Sequence, residues 1–189
     1  MRLFAAVDVS GATRETLAAE QVRIGAALGG SGGTVRWIRS DRVHLTLVFV
    51  GDVDAARVPS LIEGVRADVN TAPFEISVSG IGVFSARGAP RVLWIGIGAG
   101  ADKVKDLRQE LAARIAALGI RLERRDFHPH LTLGRWTSSK PSDRARLLAA
   151  AQPGALARDR VTRVTWYESR LSASGADYIA LTHANLTGR

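Results

Sequence analysis

The tetrad His-Leu-Thr-Leu occurs twice, at His44–Leu47 and His130–Leu133, 86 residues apart, and each copy ends the same run of elements. The first run opens with an apolar, β-rich stretch at Arg2–Val9. Ala12–Leu28 follows as a helix, with Leu17, Val22, Ile24 and Leu28 near helical spacing, and Gly29-Gly30-Ser31-Gly32-Gly33 stops it. Val35–Ile38 reads as a short strand and His44–Val50 as the next. The second run starts with a strand at Arg91–Gly98. Asp102–Leu118 is a helix with Val104, Leu107, Leu111, Ile115 and Leu118 on one stripe, stopped by Gly119. Ile120–Glu123 reads as a short strand, and His130–Leu133 as the next. The tails correspond less closely. Ala55–Val69 is helical and leads to strands at Phe74–Val78 and Gly82–Phe84; Ser142–Ala151 is helical and leads to strands at Val161–Leu171 and Tyr178–Leu186. The repeat predicts one domain of two similar α+β lobes, about 1–84 and 85–189, dividing near Gly80–Pro90, with strand exchange as one way of joining them. Duplication explains the repeat; so do two α+β units of common spacing.

Side chains along a strand alternate between faces. His44 and Thr46 therefore share one face, opposite Leu45 and Leu47, and His130 and Thr132 share a face opposite Leu131 and Leu133. The leucines suit burial under helices, the imidazoles and hydroxyls an open side. A two-fold relation between the lobes would turn the two His-Thr faces toward each other across a cleft. Such a cleft suits a cyclic phosphate. Ring opening needs a base to take a proton from water and an acid to protonate the departing ribose oxygen, on opposite sides of phosphorus. Histidine titrates near neutrality, so one can be neutral while the other is charged. The hydroxyls of Thr46 and Thr132 can donate to the non-bridging oxygens, and no metal is required. One His-x-Thr is a short pattern, and Thr favours strands. Two copies at matching places, using two of four histidines, carry the weight.

Hydrophobic content of 46% with 23% charged residues in 189 residues reads as a globular chain able to bury a core. No apolar run approaches the ~20 residues of a membrane helix. Asp8 comes too soon for a signal peptide. The absence of cysteine excludes disulfides and thiolate chemistry and fits a reducing cytoplasm. A net charge of +8 attracts polyanions such as nucleic acid. Only Lys103, Lys105 and Lys140 are lysines, however, and a bias toward Arg, Ala and Gly also fits genomic base composition.

The chain resembles the 2H phosphoesterases, most closely the bacterial RNA 2′,3′-cyclic phosphodiesterases, also called 2′-5′ RNA ligases. The resemblance runs nearly end to end. It is carried by Arg2-Leu3-Phe4-Ala5-Ala6-Val7, by Val35-Arg36-Trp37 before His44–Gly51, by Gly82-Val83-Phe84 before Pro90–Trp94, by Phe127–Arg135, by Ser169-Arg170-Leu171 and by Gly175–Tyr178. It implies a bilobal fold with antiparallel sheets lining a central cleft and helices outside. It implies His44 as proton donor to the leaving oxygen, His130 as the proton acceptor that activates water, and a 2′-phosphate product. The substrates implied are RNA ends bearing a 2′,3′-cyclic phosphate, such as tRNA halves, or small cyclic nucleotides. Some relatives also join RNA ends by the reverse transesterification. No lysine begins a Lys-x-Asp-Gly adenylation motif and there is no P-loop, so such joining would be ATP-independent. No cofactor is implied, and a cytoplasmic monomer is expected. Arg135 is the implied phosphate binder, a role suited to guanidinium. Strand parity turns Arg135 away with Leu131 and Leu133, unless Gly134 permits a bulge that re-aims it.

Other features admit bland readings. His128-Pro129-His130 has the spacing of a strand-borne metal pair, but no Asp or Glu flanks either tetrad on the matching face. His183 is a lone histidine in the last strand. Gly96-Ile97-Gly98-Ala99-Gly100-Ala101 fits a loose dinucleotide pattern, and equally a tight strand-to-helix turn. Phe84 is a candidate to stack on a base, Trp37 more a packing residue, and Arg87 and Arg91 either touch RNA phosphates or are solvated. A second functional reading is a non-catalytic RNA-binding module with an inherited cleft.

Overall fold

A computed structural model describes residues 1–29, 33–85, 87–123, 126–172 and 175–188. Among the described residues nine strands and four α-helices follow in the order β1 (Arg2–Asp8), α1 (Gly11–Leu28), β2 (Val35–Trp37), β3 (His44–Asp52), α2 (Val58–Val65), β4 (Phe74–Phe84), β5 (Val92–Ile97), α3 (Ala101–Ala117), β6 (His130–Trp136), α4 (Pro141–Ala149), β7 (Ala155–Val161), β8 (Arg163–Ser172) and β9 (Gly175–Asn185). This is the α+β architecture expected, with every strand pair antiparallel. The sheet runs β7-β4-β5-β6-β3-β1-β8-β9, with β2 also paired to β6. It has a waist, because β3 and β6 meet at a single register pair, Leu45 with Leu131. Both leucines are fully buried. No helix among the described residues is long and apolar enough to cross a membrane.

Spatial grouping does not follow chain order. The late strands β8 and β9 extend the sheet beyond β1, while β4 lies with β5 and β7. The helices cross as well. α1, which follows β1, packs on α4 and β7. α3, which follows β5, packs on α2 and β3, with Val104, Leu107, Leu111 and Ile115 fully buried. Burying each such side chain contributes about 1.5–3 kcal/mol. Ser10 caps α1 by accepting from the Thr13 N–H (3.2 Å). Gln21 on α1 donates to the Leu133 and Ile38 carbonyls (2.9 and 2.7 Å), tying this helix to β6 and to the residue after β2.

Several elements depart from the sequence pattern. Val22 is 75% exposed, and Thr13 and Glu20 join Leu17, Ile24 and Leu28 on the buried face of α1. Ile120–Glu123 is not a strand; the Ile120 N–H instead closes the end of α3 on the Ile115 carbonyl (3.3 Å). β4 runs unbroken through the Gly80 region, where a register shift and a φ of 74° at Gly80 absorb the irregularity. β7 has no counterpart in the pattern, since an edge strand carrying Arg158, Asp159 and Arg160 shows little apolar alternation. The helix read over Ala55–Val69 is a 3-10 turn at Ala55–Arg57 followed by α2.

Candidate active site

The two tetrads form β3 and β6 with the same seven-residue burial sequence, half-buried at His and Thr and buried at both leucines. Antiparallel pairing about Leu45 and Leu131 puts His44 on the side of Thr132 and Thr46 on the side of His130. Each His-Thr set is thus the inverse of the other across the waist of the sheet. The leucine pair faces the core, so the four polar side chains share the opposite face.

Both strands carry a bulge just after the threonine. In β6, Thr132 pairs with Trp94 and Gly134 with Leu93, which leaves Leu133 without a partner. The extra residue reverses the alternation, and Arg135 comes round to line the same cleft as Thr132. Gly134 is needed for room: a Cβ there would lie 2.6 Å from Val35 Cγ1 and 3.2 Å from the Trp37 ring. In β3, Thr46 pairs with Ala6 and Val48 with Ala5, so Leu47 is the extra residue and Phe49 comes round in turn. Phe49 and Arg135 occupy equivalent positions, an aromatic on one side and a guanidinium on the other.

The histidines are held alike. His44 Nδ1 lies 2.8 Å from the Arg42 carbonyl and His130 Nδ1 2.7 Å from the His128 carbonyl. A carbonyl can only accept, so each Nδ1 donates and each Nε2 is left for chemistry. The His44 ring stacks on Phe4 (5.0 Å) and meets the edge of Tyr178 (5.0 Å). The His130 ring meets Phe84 edge-on (5.0 Å). Desolvation pushes both imidazoles below the ordinary histidine value, and the carbonyl acceptors act against it. The charge of His130 lowers His44 further, and those of His128 and Arg135 lower His130. A cleft of about 610 Å³ is lined by His44, Thr46, Thr132, Arg135 and Phe49; His130 is not among the residues that line it.

The profile of the 2′-5′ RNA ligase superfamily matches residues 17–171. The chain belongs to that superfamily. The RNA 2′,3′-cyclic phosphodiesterase of Methanothermobacter thermautotrophicus is 32% identical over 180 residues, spanning 94% of this chain and 95% of its own length. That of Aquifex aeolicus is 32% identical over 155 residues, 81% of this chain and 82% of its own. The crystal structure of Escherichia coli LigT complexed with 3′-AMP superposes with a TM-score of 0.76 at 25% identity, over 98% of both chains.

In this member of the 2′-5′ RNA ligase superfamily the surroundings of the two histidines differ in one respect that the sequence did not reveal. The residue opposite His44 on the neighbouring strand is Asp8, and the residue opposite His130 is Gly96. The Asp8 carboxylate accepts from Tyr167 Oη (2.6 Å) and Thr165 Oγ1 (2.7 Å). Thr165 spends its hydroxyl hydrogen on Asp8, so His183 Nδ1, 3.1 Å from Thr165 Oγ1, is the donor that ends this chain. Desolvation, reinforced by the Asp8 hydrogen bond, pushes the Tyr167 phenol up to about 12 and keeps it a donor. A second cavity of about 400 Å³ lies here, where Asp8, Arg14, Asp41, Arg42, Asp177 and Tyr167 gather beside His44.

The remaining sequence candidates of this superfamily member take various places around the site. Phe84 is 36% exposed, and its ring is engaged with His130 and with Trp94 (5.3 Å). Trp37 is half-buried, packed on the core and exposed to the cleft on one side. Arg87 and Arg91 are exposed and do not line the cleft. His128 packs on Trp94 (4.6 Å), and the described residues contain no group of three His, Cys, Asp or Glu side chains suited to a metal. Gly96, Gly98 and Gly100 make room for β4: a Cβ at Gly98 would lie 2.5 Å from Ser79 Oγ, and one at Gly100 2.4 Å from the Glu75 carbonyl. The Gly98 and Ala99 N–H groups are already bonded to Ser77, which leaves them no phosphate to hold.

Proposed function

We propose that this protein opens RNA 2′,3′-cyclic phosphate ends to 2′-phosphates with His44 and His130 as a metal-independent acid/base pair. The observation that carries the reading is the inverted pair of His-Thr sets, each histidine donating Nδ1–H to a carbonyl and keeping Nε2 available. His130 Nε2 takes a proton from water as its oxygen bonds to phosphorus. The P–O3′ bond breaks, and His44 Nε2–H supplies the proton to O3′. Thr46 and Thr132 donate to the non-bridging oxygens, and Arg135 holds the same group. A 5′-hydroxyl in place of water gives a 2′-5′ bond by the same steps and consumes no nucleotide. The chain is read as one domain of two similar lobes, about 1–84 and 85–189, with strands exchanged, acting as a cytoplasmic monomer. EDTA-treated protein is expected to convert a 2′,3′-cyclic-phosphate oligonucleotide to the 2′-phosphate at the untreated rate. Loss of turnover in EDTA, restored by zinc, would replace the reading with a metal mechanism.

Asp8 supports the division of labour. A carboxylate beside His44 favours its imidazolium, whereas His130 has Gly96 opposite and the cations of His128 and Arg135 nearby. Asp8→Asn is expected to lower the His44 pKa and so move the alkaline limb of the kcat/KM profile to lower pH. The acid limb, set by His130, stays in place. Arg14 on α1 and His130 on β6 disfavour the His44 imidazolium, while the Arg42 carbonyl favours it alongside Asp8; Asp41 and Asp177, which share the second cavity, are engaged by Arg39 and Arg42. A pH–rate series on parent and variant checks this; a uniform fall in rate with both limbs fixed would count against it.

A further inference from the structure

The cleft holds more positive charge than one cyclic phosphate can use. Among the described residues five arginines line it, Arg2, Arg36, Arg39, Arg42 and Arg135, and no Asp or Glu does. Arg39 is paired with Asp41 and Arg42 with Asp177. Arg2, Arg36 and Arg135 have no carboxylate partner among the described residues. The Arg2 guanidinium lies over the Phe49 ring, 5.0 Å from its centroid. Arg36 and Arg135 are directly opposed in the β2–β6 ladder, so both project from one face into the same space. Like charges opposed in this way repel unless an anion lies between or beside them.

A cyclic phosphodiester carries a single negative charge and two non-bridging oxygens. Arg135, Thr46 and Thr132 already supply donors for those oxygens, and a second guanidinium at the same group would be surplus. We propose that Arg36 binds a second phosphate, the phosphodiester that joins the terminal nucleotide to the one before it, and is the residue that makes the site prefer an RNA end to a cyclic mononucleotide. The inference rests on the cyclic phosphodiesterase reading above and names the residue behind its substrate preference. Neighbouring positions across a ladder stand close enough for two long arginines to hold consecutive phosphates. Guanidinium suits the task through its fixed fork of donors.

The test compares kcat/KM for a dinucleotide ending in a 2′,3′-cyclic phosphate with that for the corresponding nucleoside 2′,3′-cyclic phosphate. The parent is expected to favour the dinucleotide by about tenfold or more, the worth of one charge-assisted contact, chiefly through KM. Arg36→Gln is expected to remove most of that ratio, and Arg36→Lys to restore part of it. Equal values for the two substrates in the parent would overturn the proposal, as would an Arg36→Gln loss shared in proportion by both. No turnover of either substrate by the parent would sink the cyclic phosphodiesterase reading instead. Equilibrium binding of 2′-phosphorylated mono- and dinucleotides to parent and Arg36→Gln then decides the subsite alone. A selective loss of dinucleotide affinity sustains it, and an unchanged ratio overturns it.

Discussion

Alanine at His44 or at His130 is expected to lower kcat/KM for a cyclic-phosphate oligonucleotide by about 10²–10⁴-fold. In the proposed mechanism His44 gives a proton and His130 takes one, each through Nε2. The His44 ring is enclosed by Phe4 and Tyr178. The His130 ring has Phe84 and Trp94 beside it, neither of which exchanges protons. The two act on one transition state, so the double variant is expected to lose little more than the worse single one. Removing His44 leaves a gap between packed rings, so His44→Gln, which fills more of it, separates lost chemistry from lost packing. Binding of a 2′-phosphate oligonucleotide by the variants, followed by anisotropy, keeps the non-catalytic reading in play. Undiminished binding together with an inert parent would favour a recognition module.

The next largest effect is expected at the threonines. Thr46→Val and Thr132→Val keep shape and remove one hydroxyl each. Loss of a donor aimed at a developing phosphorane oxygen is expected to cost about 10²-fold, in kcat and kcat/KM alike. Both side chains are only half-buried, so thermal unfolding should stay close to that of the parent. Rates within about twofold of the parent would remove the hydroxyls from the proposed chemistry, because charge-assisted donors are worth more than that.

What the sequence disclosed about this site follows from how local each determinant is. The facing of His44 with Thr46, and of His130 with Thr132, needs only the two-residue period of a strand. Arg135 needs a bulge, and Gly134 marked where one could sit. The matching bulge in β3 falls at Leu47, next to Val48, and nothing in the local composition announces it. Phe49 was therefore invisible as a cleft residue. Asp8 was hidden for a longer-range reason: its place beside His44 depends on the β1–β3 register after two shifts, and its anchors come from β8. Phe84 lies against the His130 ring, a contact between β4 and β6 that no local pattern in the sequence discloses. At the level of the fold, long periodic helices such as α3 were read to within a residue. The polar edge strand β7 was not, since its stability comes from the ladder with β4 rather than from its own apolar face.

The placement of β8 beside β1 matters while the chain is being made. β1 and β3 are joined through α1 and β2 and can pair early, but the other edge of β1 is completed only by residues 165–169. Until these leave the ribosome, a nascent chain presents Leu3–Ala6, apolar and with one row of amides unanswered, to any strand nearby. An open apolar edge of this kind is a template for aggregation. α3, which covers β3, also emerges before that edge is closed. The nascent chain is therefore most vulnerable when much of its core is already in place, and only the C-terminal hairpin ends that exposure.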